Sequence, residues 1–146
     1  MNYKTSSEQQ MIELGKKIAS DFKGGDIVLL YGDLGAGKTT LTKGIASYFG
    51  IDEVVSPTFT LMQEYKVSKS ASTQVNKLVH IDTYRLEEES DLVEIGAEDY
   101  LGEENTICIV EWPEKISTIL KGKKIVKIEI KHEAEDERTI SMSFRT

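Results

Sequence analysis

The chain has 146 residues, of which 39% are hydrophobic and 29% are charged, as is typical of one soluble globular domain over residues 1–146. No apolar run is long enough to cross a bilayer, so the sequence predicts no membrane association. The net charge of −7, without a cluster of lysine or arginine, argues against a protein that grips nucleic acid by itself.

The expected compartment follows from the N-terminus and from cysteine usage. The first residues, MNYKTSSEQQ, are polar and lack the apolar centre of a secretory signal. The single cysteine, Cys108, cannot form an internal disulfide and lies in an apolar run, so we expect a buried thiol rather than a nucleophile. The sequence predicts a cytoplasmic protein with no disulfide.

The first predicted element is a helix that starts near Thr5 to Ser7 and covers the sheet. Its N-terminal capping box is formed either by Thr5 with Glu8 or by Ser7 with Gln10. The apolar face of this helix carries Met11, Leu14, Ile18 and Phe22, and Gly24-Gly25 follows its end.

A strand, a glycine-rich loop and a helix come next, in direct succession. Residues 26–31 (DIVLLY) are apolar, as in a buried strand, and residues 39–49 have helical periodicity. The apolar face of that helix carries Leu41, Ile45 and Tyr48. Between them, GDLGAGKT at 32–39 fits the phosphate-binding pattern of glycine, four residues, glycine, lysine and then serine or threonine. The motif therefore predicts a nucleotide site.

The residue types of this loop explain how it would bind phosphate. The glycines let backbone N–H groups converge on an anion, and the helix adds its positive N-terminal end. Lys38 would contact the β- and γ-phosphates, and the Thr39 hydroxyl would ligate Mg²⁺. The predicted nucleotide contacts are Gly32, Asp33, Leu34, Gly35, Ala36, Gly37, Lys38, Thr39 and Thr40.

The segment PTFTLMQEY at 57–65 alternates between polar and apolar residues, which predicts a half-buried strand. A hydroxyl downstream of a phosphate loop can reach Mg²⁺ or the γ-phosphate and order its loop only with a triphosphate. Thr58 and Thr60 are therefore either switch residues or ordinary strand threonines, and the spacing does not decide between them. Residues 66–77 are polar and serine-rich, which predicts an exposed loop between two strands.

Two later apolar strands each end on an acid. Residues 78–82 (LVHID) end at Asp82, and the apolar run at 106–113 reaches Glu111. At the carboxyl edge of a parallel sheet such acids can hold Mg²⁺ or orient an attacking water, although Asp82 has the alternative of capping the next helix. We interpret His80 as a packed residue rather than a catalytic one. The paired acids are a second signal, separate from the glycine loop, for a Mg²⁺-nucleotide site.

The remaining segments predict elements that cover or extend the sheet. Residues 87–101 are acidic and predict one or two short helices, and Pro113 opens another helix. The apolar contacts of these helices would be Leu92, Ile95 and Leu101, and then Ile116, Ile119 and Leu120. Residues 126–131 and 140–145 alternate in polarity, which predicts an antiparallel hairpin at the edge of the sheet.

Several segments, taken together, resemble one known family. GDLGAGKTTLTKG, SPTFTLMQEY, HIDTYRL and IVEWPEK, in this order, are similar to the TsaE family of small bacterial P-loop ATPases, which is needed to make threonylcarbamoyladenosine in tRNA. The resemblance runs from the first helix to the ERTISMSF strand. It implies an α/β fold, a P-loop NTPase-like three-layer sandwich with a mostly parallel central sheet and antiparallel edge strands.

The resemblance also implies ligands and partners. The ligands would be ATP or ADP with Mg²⁺, and the protein partners would be TsaB and TsaD, with tRNA reached only through them. In the family, ATP turnover supports repeated cycles of threonylcarbamoyl transfer by the TsaB–TsaD pair. The subunit does not perform the transfer itself.

Carried onto this sequence, the resemblance assigns roles to the site residues. Lys38, Asp82 and Glu111 would be catalytic, with Thr39, Glu111 and Asp82 as the metal site. Residues 56–60, including Thr58, would form the switch-like loop. Trp112 would sit beside the site, and Arg138 would contact the adenine side.

The predicted reaction is a slow in-line attack of water on the γ-phosphate of ATP, faster with the partner complex. Arg85 would act in cis or face the partner, and spacing does not settle whether Asp82 or Glu111 orients the water. One rival is a small-molecule P-loop kinase, which needs an acceptor pocket and usually an arginine-bearing lid. The other rival is a non-hydrolysing nucleotide switch, in which the acids only hold Mg²⁺.

Overall fold

The structure is a computed structural model that describes residues 1–57, 60–67 and 74–144. These residues form a seven-stranded sheet with helices on both faces. The strands are β1 Asn2–Thr5, β2 Ile27–Tyr31, β3 Met62–Lys66, β4 Lys77–Asp82, β5 Thr106–Glu111, β6 Ile125–Ala134 and β7 Glu137–Phe144. The helices are α1 Glu8–Ala19, α2 Lys38–Tyr48, α3 Glu89–Glu94 and α4 Ser117–Leu120, with 3₁₀ turns at Ala97–Tyr100 and Pro113–Ile116.

The strand order is β1-β7-β6-β2-β5-β4-β3. The inner strands β6, β2, β5 and β4 are parallel, whereas β1, β7 and β3 pair antiparallel with their neighbours. This arrangement confirms the predicted mostly parallel sheet with antiparallel edges. The helix after β2 covers one face and the helices after β4 and β5 cover the other, so a crevice opens at the carboxyl ends of β2 and β5.

Strand β2 shows why the sheet is buried on both faces. Its first four residues are all less than 2% exposed. Val28 and Leu30 face α1 and α2, while Ile27 and Leu29 face the core that includes Leu92 of α3 and Leu120 of α4. The result is the predicted three-layer sandwich, in which each face of the sheet buries its own apolar core.

Helices α1 and α2 are in close backbone contact because each carries a glycine at the crossing. A Cβ added at Gly44 would lie 2.2 Å from the carbonyl oxygen of Ile12, and one at Gly15 would lie 2.6 Å from that of Leu41. Any side chain there would force the helices apart. This contact fixes the position of α2, whose N-terminus borders the glycine loop.

The prediction of a hairpin at the edge of the sheet is wrong, because the N-terminal strand β1 lies outside that hairpin. β1 pairs antiparallel with β7, and β6 pairs in parallel with β2, so neither hairpin strand is the outermost one. Four residues are too short to give a periodic signal, which is why the sequence did not predict β1.

The start of α1 agrees in part with the predicted capping box of Ser7 with Gln10. Ser7 is the N-cap, and its Oγ accepts a hydrogen bond from the Gln10 N–H at 3.1 Å. The Gln10 Oε1 accepts from the Ser6 N–H at 2.6 Å instead of from Ser7, so the reciprocal bond is shifted by one residue. Thr5 belongs to β1 and does not cap the helix.

Other predicted core contacts are wrong at element ends. Tyr48 and Ile95 are each 41% exposed, because Phe49 takes the buried place after α2 and α3 ends at Glu94.

β3 starts only at Met62, since Leu61 has a φ of 67°, which interrupts an extended chain. Phe59 of the predicted alternation and the middle of the predicted 66–77 loop lie outside the described residues.

Within the ranges 1–57, 60–67 and 74–144, no helix combines the length and apolarity needed to cross a membrane. The Cys108 thiol is buried and donates a hydrogen bond to the Tyr100 carbonyl oxygen at 3.1 Å. Burial raises the pKa of this thiol to about 12, which agrees with a structural rather than a nucleophilic cysteine.

Candidate functional site

The glycine loop connects β2 directly to α2 in a conformation that only glycine adopts easily. Gly35 has a φ of 79° and Gly37 a φ of 109°, and the Ala36 N–H donates to the Asp33 carbonyl oxygen at 3.0 Å. Gly37 is the N-cap of α2 and has no side chain to offer the first N–H groups of the helix. Those donors and the positive helix end are therefore available to an anion.

The Lys38 side chain folds back over this loop. It is 5% exposed, and its Nζ donates to the Gly32 carbonyl oxygen and, at 3.4 Å, to that of Asp33. The ammonium also lies 3.8 Å from the centre of the Trp112 ring. Burial lowers the pKa of Lys38, and the nearby carboxylates of Glu111 and Asp82 oppose that shift.

Asp82 and Glu111 stand side by side at the ends of β4 and β5, where they are register partners. They are 8% and 4% exposed, and the Asp82 Oδ1 accepts a hydrogen bond from the Tyr84 N–H at 3.0 Å. Burial is the main cause that raises the pKa of Asp82, with the charge of Glu111 adding to it and the Tyr84 N–H opposing it.

A buried histidine contacts the second of these acids. The His80 Nε2 lies 2.6 Å from the Glu111 Oε2, and both side chains are inaccessible to solvent or nearly so. His80 is packed, as predicted, but the sequence analysis missed its contact with Glu111. The available signal was its position two residues before Asp82, which places both side chains on one face of β4.

A cavity of about 440 Å³ joins the loop to the acids. Among the predicted site residues it is lined by Leu34, Gly35, Gly37, Lys38, Thr39, Thr40, Asp82 and Glu111. Gly32, Asp33 and Ala36 instead line a neighbouring cavity of about 650 Å³, to which Lys38 and Thr39 do not contribute. We take the smaller cavity as the candidate site because it combines the ammonium, the hydroxyl and both carboxylates.

The donors in this cavity fit magnesium. Thr39, Asp82 and Glu111 offer only hard oxygen atoms, which Mg²⁺ prefers. In the part of the chain that the structure describes, no cluster of three or more His, Cys, Asp or Glu side chains could hold a metal alone. Mg²⁺ usually takes one or two carboxylates together with water and phosphate oxygens, and the cavity offers the two carboxylates of Asp82 and Glu111.

Arg138 approaches the loop from β7. Its Nε donates to the Ala36 carbonyl oxygen at 3.0 Å, and its guanidinium also contacts the carbonyl of Gly35 at 3.5 Å. With Met11 and Thr40 it lines a further cavity, of about 250 Å³, on the α1 side of the loop. The sequence did not reveal that Arg138 supports the loop backbone, because 102 residues separate it from Ala36.

The turn after β5 is held by a residue that the sequence analysis did not single out. The Thr83 Oγ1 donates to the carbonyl oxygens of Glu111 at 3.1 Å and Trp112 at 2.5 Å. Trp112 has a φ of 58°, and its ring contacts both the Lys38 ammonium and the Tyr84 ring, whose centroid is 5.1 Å away. Trp112 therefore borders the cavity, where the family resemblance placed it.

The predicted switch-like loop is described only in part. Ser56 lines the 440 Å³ cavity, and the Thr60 Oγ1 donates to the Met62 carbonyl oxygen at 3.3 Å on the surface. Thr60 precedes β3, so it is not a strand threonine. Thr58 lies outside the described residues. Arg85 also lines the cavity.

The sheet order, the loop between β2 and α2 and the acids at the strand ends define an α/β protein of the P-loop NTPase class. The family model described as "Threonylcarbamoyl adenosine biosynthesis protein TsaE" matches residues 5–140. The chain belongs to the TsaE family, which takes part in tRNA threonylcarbamoyladenosine biosynthesis.

Individual relatives support the same assignment. The chain is 38% identical over 144 residues to the tRNA threonylcarbamoyladenosine biosynthesis protein TsaE of Bacillus subtilis, covering 98% of this chain and 85% of that protein. It is 38% identical over 117 residues to the protein of that name in Rickettsia conorii, covering 79% of this chain and 62% of the relative. A crystal structure of YdiB from Bacillus subtilis superposes with a TM-score of 0.75 at 34% identity, covering 97% of this chain and 83% of the other.

Proposed function

We propose that the protein is a Mg²⁺-dependent ATPase that acts with TsaB and TsaD in threonylcarbamoyladenosine synthesis, in the cytoplasm. One observation carries the enzymatic part of this proposal. Lys38, Thr39, Asp82 and Glu111, which come from three separate segments, line one cavity beside the positive end of α2. A triphosphate needs this combination of a cation, a hydroxyl and carboxylates that share a metal.

The backbone N–H groups of the loop and of the first turn of α2 would bind the phosphates. Lys38 would exchange the carbonyls of Gly32 and Asp33 for phosphate oxygens, which are stronger acceptors for an ammonium because they are charged. Arg138, Thr40 and Met11 line the adjoining cavity and would border the adenine side. We therefore propose that Arg138 contacts the adenine side of the nucleotide while it also bonds to the loop carbonyls.

Thr39, Glu111 and Asp82 would hold the magnesium ion, which, when bound, offsets the negative charge of the triphosphate. Asp82 or Glu111 would orient a water in line with the bond that breaks. The water oxygen forms a bond to the γ-phosphorus while the bond from the γ-phosphorus to the bridging oxygen breaks. The products are ADP and inorganic phosphate, and the proton of the water passes to solvent through a carboxylate.

We propose weak turnover by the protein alone and faster turnover with partners. An arginine placed at the transferring phosphoryl group typically contributes about 10³–10⁵ in rate. Arg138 is bonded to the loop carbonyls, and Arg85 lines the cavity. A partner that moves Arg85 inward, or supplies its own arginine, would accelerate the reaction.

We further propose that tRNA is reached only through TsaB and TsaD. The chain carries a net charge of −7, and contacts to nucleic-acid phosphates need clustered lysine and arginine.

A mixture of purified TsaB, TsaD and this chain with ATP should yield a ternary complex on size-exclusion chromatography. Co-elution that is unaffected by Lys38→Ala or by omitting ATP would contradict a nucleotide-dependent association.

The enzymatic proposal is tested by following radiolabelled ATP on thin-layer plates with and without Mg²⁺. We expect free phosphate, and Lys38→Ala should lower kcat/KM by at least about 10²-fold, since one charge at the reacting phosphates is lost. Lys43→Ala is the matched control, because Lys43 lies exposed on the same helix and outside the cavity. A labelled acceptor would indicate a kinase, and unchanged ATP a non-hydrolysing switch.

A further inference from the structure

The contact between His80 and Glu111 is a buried polar interaction next to the candidate site. The Nε2···Oε2 distance is 2.6 Å, His80 is 0% exposed and the Glu111 side chain is 5% exposed. As a ligand of Mg²⁺, the Glu111 carboxylate would only accept hydrogen bonds, so the His80 Nε2 would be the donor in this contact. A charge-assisted bond in such a dry place is strong and holds its partners in one orientation.

The register of the sheet produces this contact. Asp82 and Glu111 are partners on neighbouring parallel strands, and His80 precedes Asp82 by one pleat on the same face. The imidazole therefore lies beneath the carboxylates, away from the open end of the cavity. His80 does not line the cavity itself, whereas Glu111 and Asp82 do.

We infer that His80 is a positioning residue that holds the Glu111 carboxylate in the orientation needed to ligate Mg²⁺. Because the His80 Nε2 binds the Glu111 Oε2, this contact restricts rotation of the carboxylate and so limits how it faces the cavity. Thr83 holds the backbone of the same residue by donating to the Glu111 carbonyl oxygen from both its N–H, at 3.2 Å, and its Oγ1, at 3.1 Å. Main chain and side chain of Glu111 are thus fixed from one neighbouring segment.

A purely structural role does not explain a histidine here. The His80 Nδ1 is buried and makes no hydrogen bond within residues 1–57, 60–67 and 74–144, which costs free energy that an apolar residue would avoid. The other inward residues of β4 around it are apolar, including Leu78, Val79 and Ile81. The bond to Glu111 is the feature that an apolar residue would lose.

This inference rests on the proposed function, and its test measures metal binding rather than turnover alone. Mn²⁺ serves as a paramagnetic substitute for Mg²⁺ in titrations of the ADP complex followed by electron paramagnetic resonance. We expect His80→Leu to raise the apparent Kd of Mn²⁺ by about 10-fold or more, as is typical when a residue that orients a metal ligand is lost. The Kd of ADP in EDTA should change less than about twofold, because His80 does not line the cavity.

The conservative variant separates positioning from packing. His80→Gln can still donate from its amide nitrogen to Glu111, so it should keep the Kd of Mn²⁺ within about threefold of the original protein. His132→Gln, at the exposed second histidine, is the matched control. A His80→Leu protein with unchanged Mn²⁺ affinity, or a Gln variant as impaired as the Leu variant, would overturn the inference.

A measurement on the unaltered protein keeps the inference testable even if His80→Leu does not fold. The ring N–H proton of His80, assigned by its loss in His80→Gln, should shift in the proton NMR spectrum when Mg²⁺ is added to the ADP complex. A signal that does not move on Mg²⁺ addition would contradict a link between His80 and the metal. If the original protein neither bound Mn²⁺ with ADP nor hydrolysed ATP, the proposed function would fail; intact activity with an insensitive His80→Leu would reject only the role of His80.

Discussion

The two sides of the candidate site are built in different ways. The phosphate side is continuous in sequence, since residues 32–39 run from the end of β2 into the first turn of α2. The acidic side is assembled from two strands whose acids are far apart in sequence and are brought together only by the parallel register of Asp82 with Glu111. Proposed phosphate binding on the first side would depend on local backbone conformation. Proposed metal binding on the second side would depend on strand pairing and buried side-chain contacts.

This difference predicts that changes on the two sides will have different consequences. A change in the loop should weaken all nucleotide binding, with or without metal, because in the proposed site the loop N–H groups contact phosphate. A change on the acidic side should act mainly through Mg²⁺ and turnover, because in the proposed site the carboxylates contact the metal rather than the nucleotide.

Among the changes considered, Glu111→Gln on the acidic side should have the largest effect, which is a loss of ATP turnover. We expect kcat to fall by about 10²–10³-fold, since the proposed metal ligand would be replaced by a neutral amide in a buried place. ATP binding in EDTA should stay within about twofold of the original value. Phosphate release and calorimetry measure the two quantities. Glu104→Gln, at an exposed acid near the other end of β5, is the control, and an equal loss of metal-free binding would contradict the division of roles.

Gly37→Ala would break the phosphate side. Gly37 has a φ of 109°, and an added Cβ would lie 3.2 Å from the Met11 Cε, so the strain should be of order 1–3 kcal/mol. We expect ATP binding to weaken by about 10-fold both with Mg²⁺ and in EDTA, measured by calorimetry.

Gly96→Ala provides the matched control for that change. Gly96 also has a positive φ, of 79°, but its added Cβ would meet nothing within 4 Å and it lies outside the cavity. It should lower stability without altering ATP affinity. Equal binding losses in the two variants would mean that strain alone, and not the loop conformation, explains the effect of Gly37→Ala.

Gly44→Ala tests the support behind the phosphate side. The added Cβ would lie 2.2 Å from a backbone oxygen of α1, so we expect a loss of about 1–3 kcal/mol in the free energy of unfolding. Urea unfolding measures this loss, and the exposed Lys43→Ala should stay within about 0.5 kcal/mol. An unaffected Gly44→Ala protein would show that the helices can separate at little cost.

Asp82→Asn tests how burial of an acid on the acidic side affects the pH dependence of folding stability. Because burial raises the pKa of Asp82 in the folded state, the folded protein binds this proton more tightly than the unfolded chain does. The stabilising contribution of Asp82 is thus fully present below the unfolded pKa, near 3.9, and is lost as the pH rises through the folded pKa.

The asparagine variant should therefore be more stable than the original protein at neutral pH, by a margin within about 1 kcal/mol, and should lose that advantage in acid. Urea unfolding at a series of pH values measures the difference. Asp52→Asn, at an exposed position, is the control. A stability difference independent of pH would show that the carboxylate is not penalised by burial. The same variant should lose ATP turnover, so the acid would favour function at the expense of stability.

The sequence predicted most of the fold because its signals are local. Apolar runs of strand length marked β2, β4 and β5, and helical periodicity marked α1 and α2. It missed β1, which is too short to show a period and depends on pairing with β7. It also placed the terminal hairpin at the edge of the sheet, because periodicity cannot reveal which strand lies next to which.

The candidate site divides in the same way. The sequence alone determined the loop, with Lys38 and Thr39 in it, and the acids at two strand ends. Both features depend on residues that are neighbours in the chain: the glycines that permit the loop conformation, and the apolar run that ends at each acid. Only the tertiary structure decided that His80 binds Glu111, that Arg138 supports the loop carbonyls and that Trp112 lies against Lys38. These contacts join residues 31, 102 and 74 positions apart in the chain, and the packing of strands and loops in the folded chain, not local preference, brings them together.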